Sequence, residues 1–313
     1  MQNTKRRAIL NGEVVDWKDA KVHISTHSLL YGSGVFEGIR AYMSSDGSQL
    51  NVFRLRDHVR RIYRNAQLLY LNPSINEEEF SSKIIELLRI NEHRRDVYIR
   101  PVIYYGEGGI GIRPTKQKTE YFIFTQELEN YFAEKRPLNV CFSHWRRISS
   151  NSIPPSGKFT GSYVNSMLAS LDASKAGFDE AIMLTHTGYV SEGAGENIFM
   201  VRDGTLITPP FSADILDGIT RDTVITIARD MGIEVQERDI AKGEIYGADE
   251  LFLCGTAAQI APVGTVDKRK IGTKVPGRIT ERLMEAFERV VRAEDKRYSH
   301  FLSPVYTEVL KEL

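Results

Sequence analysis

Lys158 sits in the run Ser156-Gly157-Lys158-Phe159-Thr160-Gly161-Ser162-Tyr163, after Pro154-Pro155 and before a helix-like stretch. A glycine-flanked lysine there is poorly placed for core packing and well placed to be a reactive amine. The positive end of a helix dipole and partial desolvation both disfavour an ammonium ion. A lysine pushed towards its neutral form attacks carbonyls and forms Schiff bases. Taken by itself a lysine is more often a surface residue, so its potential partners decide the reading.

Several motifs offer such partners. Tyr163, five residues on, can turn its ring over the lysine or serve as a core aromatic. Ser191-Glu192-Gly193-Ala194-Gly195-Glu196-Asn197 combines small residues, which let backbone approach a ligand, with Glu192 at the end of a short apolar strand. A carboxylate in that setting needs a cation or a shared proton, and a protonated pyridine nitrogen is one such partner. The alternative is a solvated turn. Leu216-Asp217-Gly218-Ile219-Thr220-Arg221-Asp222 opens a helix after Pro209-Pro210, and free N–H groups at such an opening suit a phosphate. Gly255-Thr256-Ala257-Ala258 adds further N–H groups and a hydroxyl at a strand end. Strand alternation puts Tyr98 and Arg100 on one face. A guanidinium beside a phenol makes a carboxylate clamp, with an interstrand ion pair as the competing reading. Of the arginines in 54–64, most belong to the wet face of an amphipathic helix, while one can reach a phosphate.

The elements that must position these residues are mixed. A hairpin over 8–16 turns at Asn11-Gly12, and strands follow at 34–42 and 50–54. A helix over 57–71 carries Val59, Ile62, Tyr63, Ala66 and Leu69 at helical spacing, with Asp57 as its cap. A second helix spans 76–91, and strands span 96–105 and 120–125. Charged residues 127–137 are the best interdomain connection, and 138–144 starts a second strand-rich region. The helix 162–176 places Val164, Met167, Leu168 and Leu171 on one face, with Gly177 as C-cap. Short strands at 181–185, 189–192, 197–202 and 205–208 follow, the last two joined at Asp203-Gly204. Helices at 220–230 and 281–294 and a strand at 250–254 complete the pattern. This is α+β with antiparallel hairpins, not repeated βαβ units.

With 313 residues, 42% of them hydrophobic, the chain holds one or two domains with a large core. Lys plus Arg equals Asp plus Glu at 41 each, so charge gives no sign of a nucleic acid or anionic membrane partner. No apolar run spans a bilayer, and no signal-like region follows the basic start. Two distant cysteines, Cys141 and Cys254, fit a reducing compartment, so a cytoplasmic enzyme is expected.

In order along the chain stand Tyr31-Gly32, Val35-Phe36-Glu37-Gly38-Ile39-Arg40, Tyr98-Ile99-Arg100-Pro101, the Lys158 segment, Ser191 to Asn197, Gly218-Ile219-Thr220-Arg221 and Gly255-Thr256-Ala257-Ala258. Together they resemble branched-chain amino acid aminotransferases of the fold-type-IV family, which depend on pyridoxal 5'-phosphate (PLP). The resemblance implies two domains with the active site at their interface: a smaller one over 1–130, a connection near 131–145, and a larger PLP-binding one over 146–313. It implies that Lys158 holds PLP as a Schiff base and shuttles protons, that Glu192 partners the pyridine nitrogen, and that Tyr163 bonds O3′. Arg61, with Arg60 as competitor, is implied as phosphate ligand, together with Ile219, Thr220 and the Thr256 hydroxyl. Tyr98 and the amides near Thr256 and Ala257 correspond to the α-carboxylate site, and Arg100 to the residue that meets the distal carboxylate of glutamate. Phe36, Trp145 and Tyr31 correspond to walls of the apolar pocket, with Tyr31 donated by a neighbouring subunit, so a homodimer is implied. No metal is implied.

Two positions depart from the family pattern: Gln259 stands where a glutamate is usual, and Asp217 where a proline is common. Both bear on substrate preference and not on the chemistry. The expected reaction is transamination between leucine, isoleucine or valine and 2-oxoglutarate. Rivals on the same fold are D-amino acid or (R)-amine transaminases and aminodeoxychorismate lyase; the rival outside enzymes is a PLP-binding protein with a dead site. Tyr98-Ile99-Arg100-Pro101 favours the branched-chain reading, and the intact Lys158, Tyr163 and Glu192 argue against a dead site.

Overall fold

Alternating burial along two nine-residue strands, Val97–Tyr105 and Thr119–Glu127, sets the centre of the first sheet. The computed structural model describes residues 6–128 and 136–306. In chain order the first part contains β1 (Arg7–Leu10), β2 (Glu13–Asp16), α1 (His27–Tyr31), β3 (Gly34–Phe36), β4 (Ile39–Met43), β5 (Leu50–Phe53), α2 (Leu55–Leu68), α3 (Glu77–Ile90), β6 (Val97–Tyr105) and β7 (Thr119–Glu127). A strand from the far end of the chain, Leu302–Pro304, pairs with β5, giving the order Leu302–Pro304, β5, β4, β6, β7, β1, β2, with β3 also on β6. All these pairings are antiparallel. Leu55, Val59, Ile62 and Ala66 of α2 and Phe80, Ile84, Leu87 and Leu88 of α3 bury one stripe each against this sheet's core.

Local chemistry explains the element ends. Asn11 and Gly12 both adopt positive φ, as a two-residue hairpin turn requires. Asn76 caps α3 by accepting from the Glu78 and Glu79 amides, and Glu79 bonds back to the Asn76 amide. Asp57 does not cap α2, contrary to expectation. The cap position is Arg54 in a left-handed conformation, and Asp57 in the first turn forms an ion pair with it. The strand expected over 34–42 is broken at Glu37-Gly38, where the Glu37 amide bonds to the Pro101 carbonyl.

The second part contains β8 (Leu138–Arg146), α4 (Tyr163–Lys175), β9 (Glu180–Leu184), β10 (Val190–Gly193), β11 (Asn197–Arg202), β12 (Thr205–Thr208), α5 (Ile219–Asp230), β13 (Val235–Glu237), β14 (Glu250–Gly255), β15 (Gln259–Val266) and β16 (Arg269–Lys270). Its sheet runs β10, β9, β8, β15, β14, β11, β12, β13, with β16 on β15. Here β8 is parallel to both β9 and β15, and β12 is parallel to β13. The face of α4 is the reverse of the expected one. Ser166, Ala169 and Ala173 are buried, the alanines packing on Ala181 and Met183, whereas Val164, Met167 and Leu171 are exposed. Small residues let the helix lie close to the sheet, and the long apolar ones are left outside.

The described residues fall into two compact units, one drawn from Met1–Glu129, Lys158–Gly161 and Arg289–Leu313, the other from Asn130–Gly157 and Ser162–Glu288. This differs from a division in chain order. Of the expected connection near 131–145, residues 131–135 lie outside the described residues, and from Leu138 onward the chain is β8. Lys158–Gly161 groups with the first unit because it pairs with β3 and buries Phe159 in that unit's core.

Candidate active site

In the first unit, Lys158 is placed by backbone pairing. Gly157 closes a turn onto the Pro154 carbonyl at 2.9 Å. The Phe36 amide then donates to the Lys158 carbonyl (3.1 Å), the Thr160 amide to Gly34 (2.8 Å) and the Gly161 amide to Gly32 (3.1 Å). Since Phe159 enters the core, alternation turns Lys158 to the other side. A side chain at Gly32 would put its Cβ 2.6 Å from the Gly161 backbone, so this close pairing requires glycine. Helix α4 begins only at Tyr163. The dipole effect is confined to a helix's first turn, so the helix-mouth argument for Lys158 is replaced by a strand-edge placement.

The Lys158 Nζ lies 4.9 Å from the Phe36 ring centroid, and the Arg100 Cζ lies 4.5 Å from the same centroid. The Arg100 Nη2 donates to the Tyr98 hydroxyl at 2.6 Å. Its Nε is buried without a hydrogen bond, and no carboxylate pairs with Arg100 among the described residues. The interstrand ion pair considered from the sequence is therefore not what occupies it. Gly38 is required here too: a Cβ at that position would meet the Tyr98 hydroxyl at 2.2 Å.

Behind Phe36 in sequence, Glu37 is fully buried and gathers two partners from α2. Arg61 Nε donates to its Oε1 (2.6 Å), and Arg61 Nη2 (2.8 Å) and His58 Nδ1 (2.8 Å) meet its Oε2. Burial by itself raises the carboxyl's pKa; the charges of Arg61 and His58 and their hydrogen bonds override it and hold the group well below the ordinary range. For His58, burial dominates and lowers the pKa against the pull of Glu37. Arg61 is buried, whereas its neighbour Arg60 is exposed. Tyr31 ends α1 at 40% exposure, its ring 4.7 Å from that of His27 and its hydroxyl accepting from the Gly111 amide at 3.3 Å.

In the second unit, Glu192 is buried on β10 and is not a solvated turn residue. Its carboxylate meets Arg147 Nη2 at 2.6 Å, Asn197 Nδ2 at 2.9 Å and the Leu216 amide at 3.0 Å. Arg147 also reaches Ser166 Oγ at 3.0 Å. Arg147 is a partner of Glu192 that the sequence reading missed: it stands just after β8 with no motif to mark it. Asn197 lies opposite Cys254 in the β11–β14 register, so the Glu192 segment and Gly255-Thr256 sit at one end of the sheet. Helix α5, which packs on β14, starts there from Gly218, with no side-chain cap. A Cβ on Gly218 would fall 1.8 Å from Asn197 Oδ1. Among the described residues, the Ile219 and Thr220 amides and the Thr256 hydroxyl donate to no other protein group. Tyr163, the first residue of α4, is half-buried, and Ala257 is partly exposed.

Trp145, expected as a pocket wall, lies on β8. It is 42% exposed, and its indole N–H donates to Asp172 on α4 at 2.9 Å. Its indole edge is thus tied to the surface of α4.

Each unit carries donors of the kind PLP needs: the first an amine on a strand edge and a fixed buried guanidinium, the second an uncapped helix start with a hydroxyl, suited to a phosphate, and a buried carboxylate, suited to a pyridinium. Among the described residues no cluster of His, Cys, Asp and Glu suits a metal ion, and no helix is long and apolar enough to cross a membrane.

Residues 34–266 match the amino-transferase class IV family. A probable branched-chain-amino-acid aminotransferase of Aquifex aeolicus is 41% identical over 300 residues, covering 96% of each chain. The structure of a branched-chain aminotransferase from Thermoproteus uzoniensis with norvaline superposes with TM-score 0.92 at 42% identity, covering 96% of this chain and 99% of that one. A T.th. branched-chain amino acid aminotransferase complexed with N-(5'-phosphopyridoxyl)-L-glutamate gives TM-score 0.91 at 37% identity, covering 96% and 99%. The chain belongs to the class IV aminotransferases, in the branched-chain-amino-acid group of that family.

Proposed function

We propose that this chain transfers the amino group of leucine, isoleucine or valine to 2-oxoglutarate, with PLP carried on Lys158. The observation that carries the reading is the shared Phe36 ring, with the Lys158 amine and the Arg100 guanidinium both against it. One relative is solved with a phosphopyridoxyl-glutamate and the Thermoproteus relative with norvaline; together they support a site that takes both a carboxylate and an apolar side chain.

PLP supplies the electron sink that stabilises charge at the substrate Cα. Lys158 Nζ moves the Cα proton as general acid–base. Arg61, the Ile219 and Thr220 amides and the Thr256 hydroxyl hold the phosphate; the buried, Glu37-bound Arg61 suits this better than exposed Arg60. Glu192, paired with Arg147, faces the ring nitrogen and holds its proton, and the Tyr163 phenol bonds O3′. The Tyr98 hydroxyl and the amides of Thr256 and Ala257 take the α-carboxylate. Arg100 takes the distal carboxylate of glutamate, and Phe36 lines the apolar side. Trp145, its indole held by Asp172, is a further wall of that side.

The reading includes a homodimer in which Tyr31 of a second copy lines the pocket. Exposed Leu29, Leu30, Ile110 and Ile112 near Tyr31, and Val164, Met167 and Leu171 on α4, give a second copy apolar surface to cover. A cytoplasmic location accords with two free cysteines, Cys141 and Cys254. Lys158→Ala is expected to remove both turnover and the protein-bound visible absorbance of PLP. A Lys158→Ala protein that still transaminates would overturn the assignment.

A further inference from the structure

We propose that Glu37 is a positioning residue for the cofactor phosphate, acting through Arg61, with His58 steadying Glu37 in turn. This rests on the reading of Arg61 as a phosphate ligand. Glu37 occupies the break between β3 and β4, where its amide is tied to Pro101 at 3.0 Å. Its carboxylate takes the Nε–Nη2 edge of Arg61 in two bonds, 2.6 and 2.8 Å. A two-point pairing fixes the plane of a guanidinium, and so the direction of its other amino group, as a single bond does not. His58, one turn before Arg61 on α2, approaches the same carboxylate at 2.8 Å and prevents it from rotating away.

The trio sits in a mostly apolar buried stripe, beside Leu55, Val59, Ile62, Ala66 and one further polar residue, Asn65. An ion pair buried there is a poor source of stability compared with apolar side chains of the same volume. Its role is better sought in holding the guanidinium ready before the phosphate arrives. No carboxylate holds Arg60 in this way among the described residues.

The test compares binding of PLP with binding of pyridoxal, which lacks the phosphate, to the full-length protein after its cofactor has been exchanged out. Glu37→Gln removes the charge. Glu37→Asp keeps the charge but is one methylene too short for the two-point pairing, and it carries the test if the glutamine variant does not fold. Both variants are expected to lose PLP affinity by about 10- to 100-fold, the usual range for an outer partner that orients a ligand-binding group, with pyridoxal affinity unchanged. Equal losses for both compounds would make Glu37 a general structural residue, and unchanged PLP affinity would remove its role altogether. Arg61→Gln separates the two layers. If it binds PLP and pyridoxal in the wild-type ratio, Arg61 is not the phosphate ligand. If it loses PLP selectively while both Glu37 variants do not, the positioning role alone is wrong.

Discussion

Gly38→Ala tests the substrate clamp with one carbon atom. The added Cβ would stand 2.2 Å from the Tyr98 hydroxyl. Ordinary contact needs about 3.5 Å, so the phenol must retreat by about 1.3 Å. Its bond to Arg100, now 2.6 Å, does not survive such a shift, and Arg100 loses the partner that holds it beside Phe36. The clash falls on the tip of a side chain, so the fold absorbs it, with a stability loss expected below about 2 kcal/mol. Catalysis does not absorb it: a misplacement of about 1 Å costs on the order of 100-fold. Steady-state kinetics should show kcat/KM down by roughly that factor for leucine and for glutamate, most of it in KM. A thermal melt on the same preparation checks the fold. Wild-type KM values for both substrates in a well-folded Gly38→Ala protein would refute the placement of Tyr98 and Arg100 in the substrate site.

Arg100→Gln should reduce kcat/KM for glutamate by roughly 10- to 100-fold, the worth of a charge-assisted pair, and for leucine much less; equal losses would argue against a distal-carboxylate role. Acid should unfold the protein in two stages. His58 has its pKa lowered from 6.5 by burial, so the folded state resists that proton and stability falls as pH drops below about 6.5. The Glu37 carboxyl is depressed by Arg61 and His58, so its contribution is complete above about pH 4.5 and is lost as pH falls below that value towards its folded-state pKa. Urea midpoints measured across the acid range should lose the upper stage in His58→Gln; an unchanged profile would contradict the burial argument.

Much of the site is legible in the sequence because it is carried by short local signals. Asn11-Gly12 states a two-residue turn, and Gly161 and Gly193 stand where backbone or side chains come close, each within a few residues of a site motif or hairpin. What escapes is whatever depends on a return of the chain. Nothing near Lys158 announces that its segment pairs with β3, nor does anything near Leu302 announce its pairing with β5. Arg147 becomes a partner of Glu192 only once β8 and β10 are folded. The apolar residues of α4 mislead for another reason: periodicity identifies a face but not which face is covered, and the sheet takes Ala169 and Ala173. Pro262 and Gly264 disguise β15, which nevertheless pairs with both β14 and β8.

The central claim, branched-chain transamination, is met most directly by a substrate panel. The purified enzyme, given 2-oxoglutarate and each amino acid in both enantiomers, should form glutamate with L-leucine, L-isoleucine and L-valine and not with their mirror images. Preferred turnover of D-amino acids or of simple amines, or pyruvate released from aminodeoxychorismate without any acceptor, would contradict it.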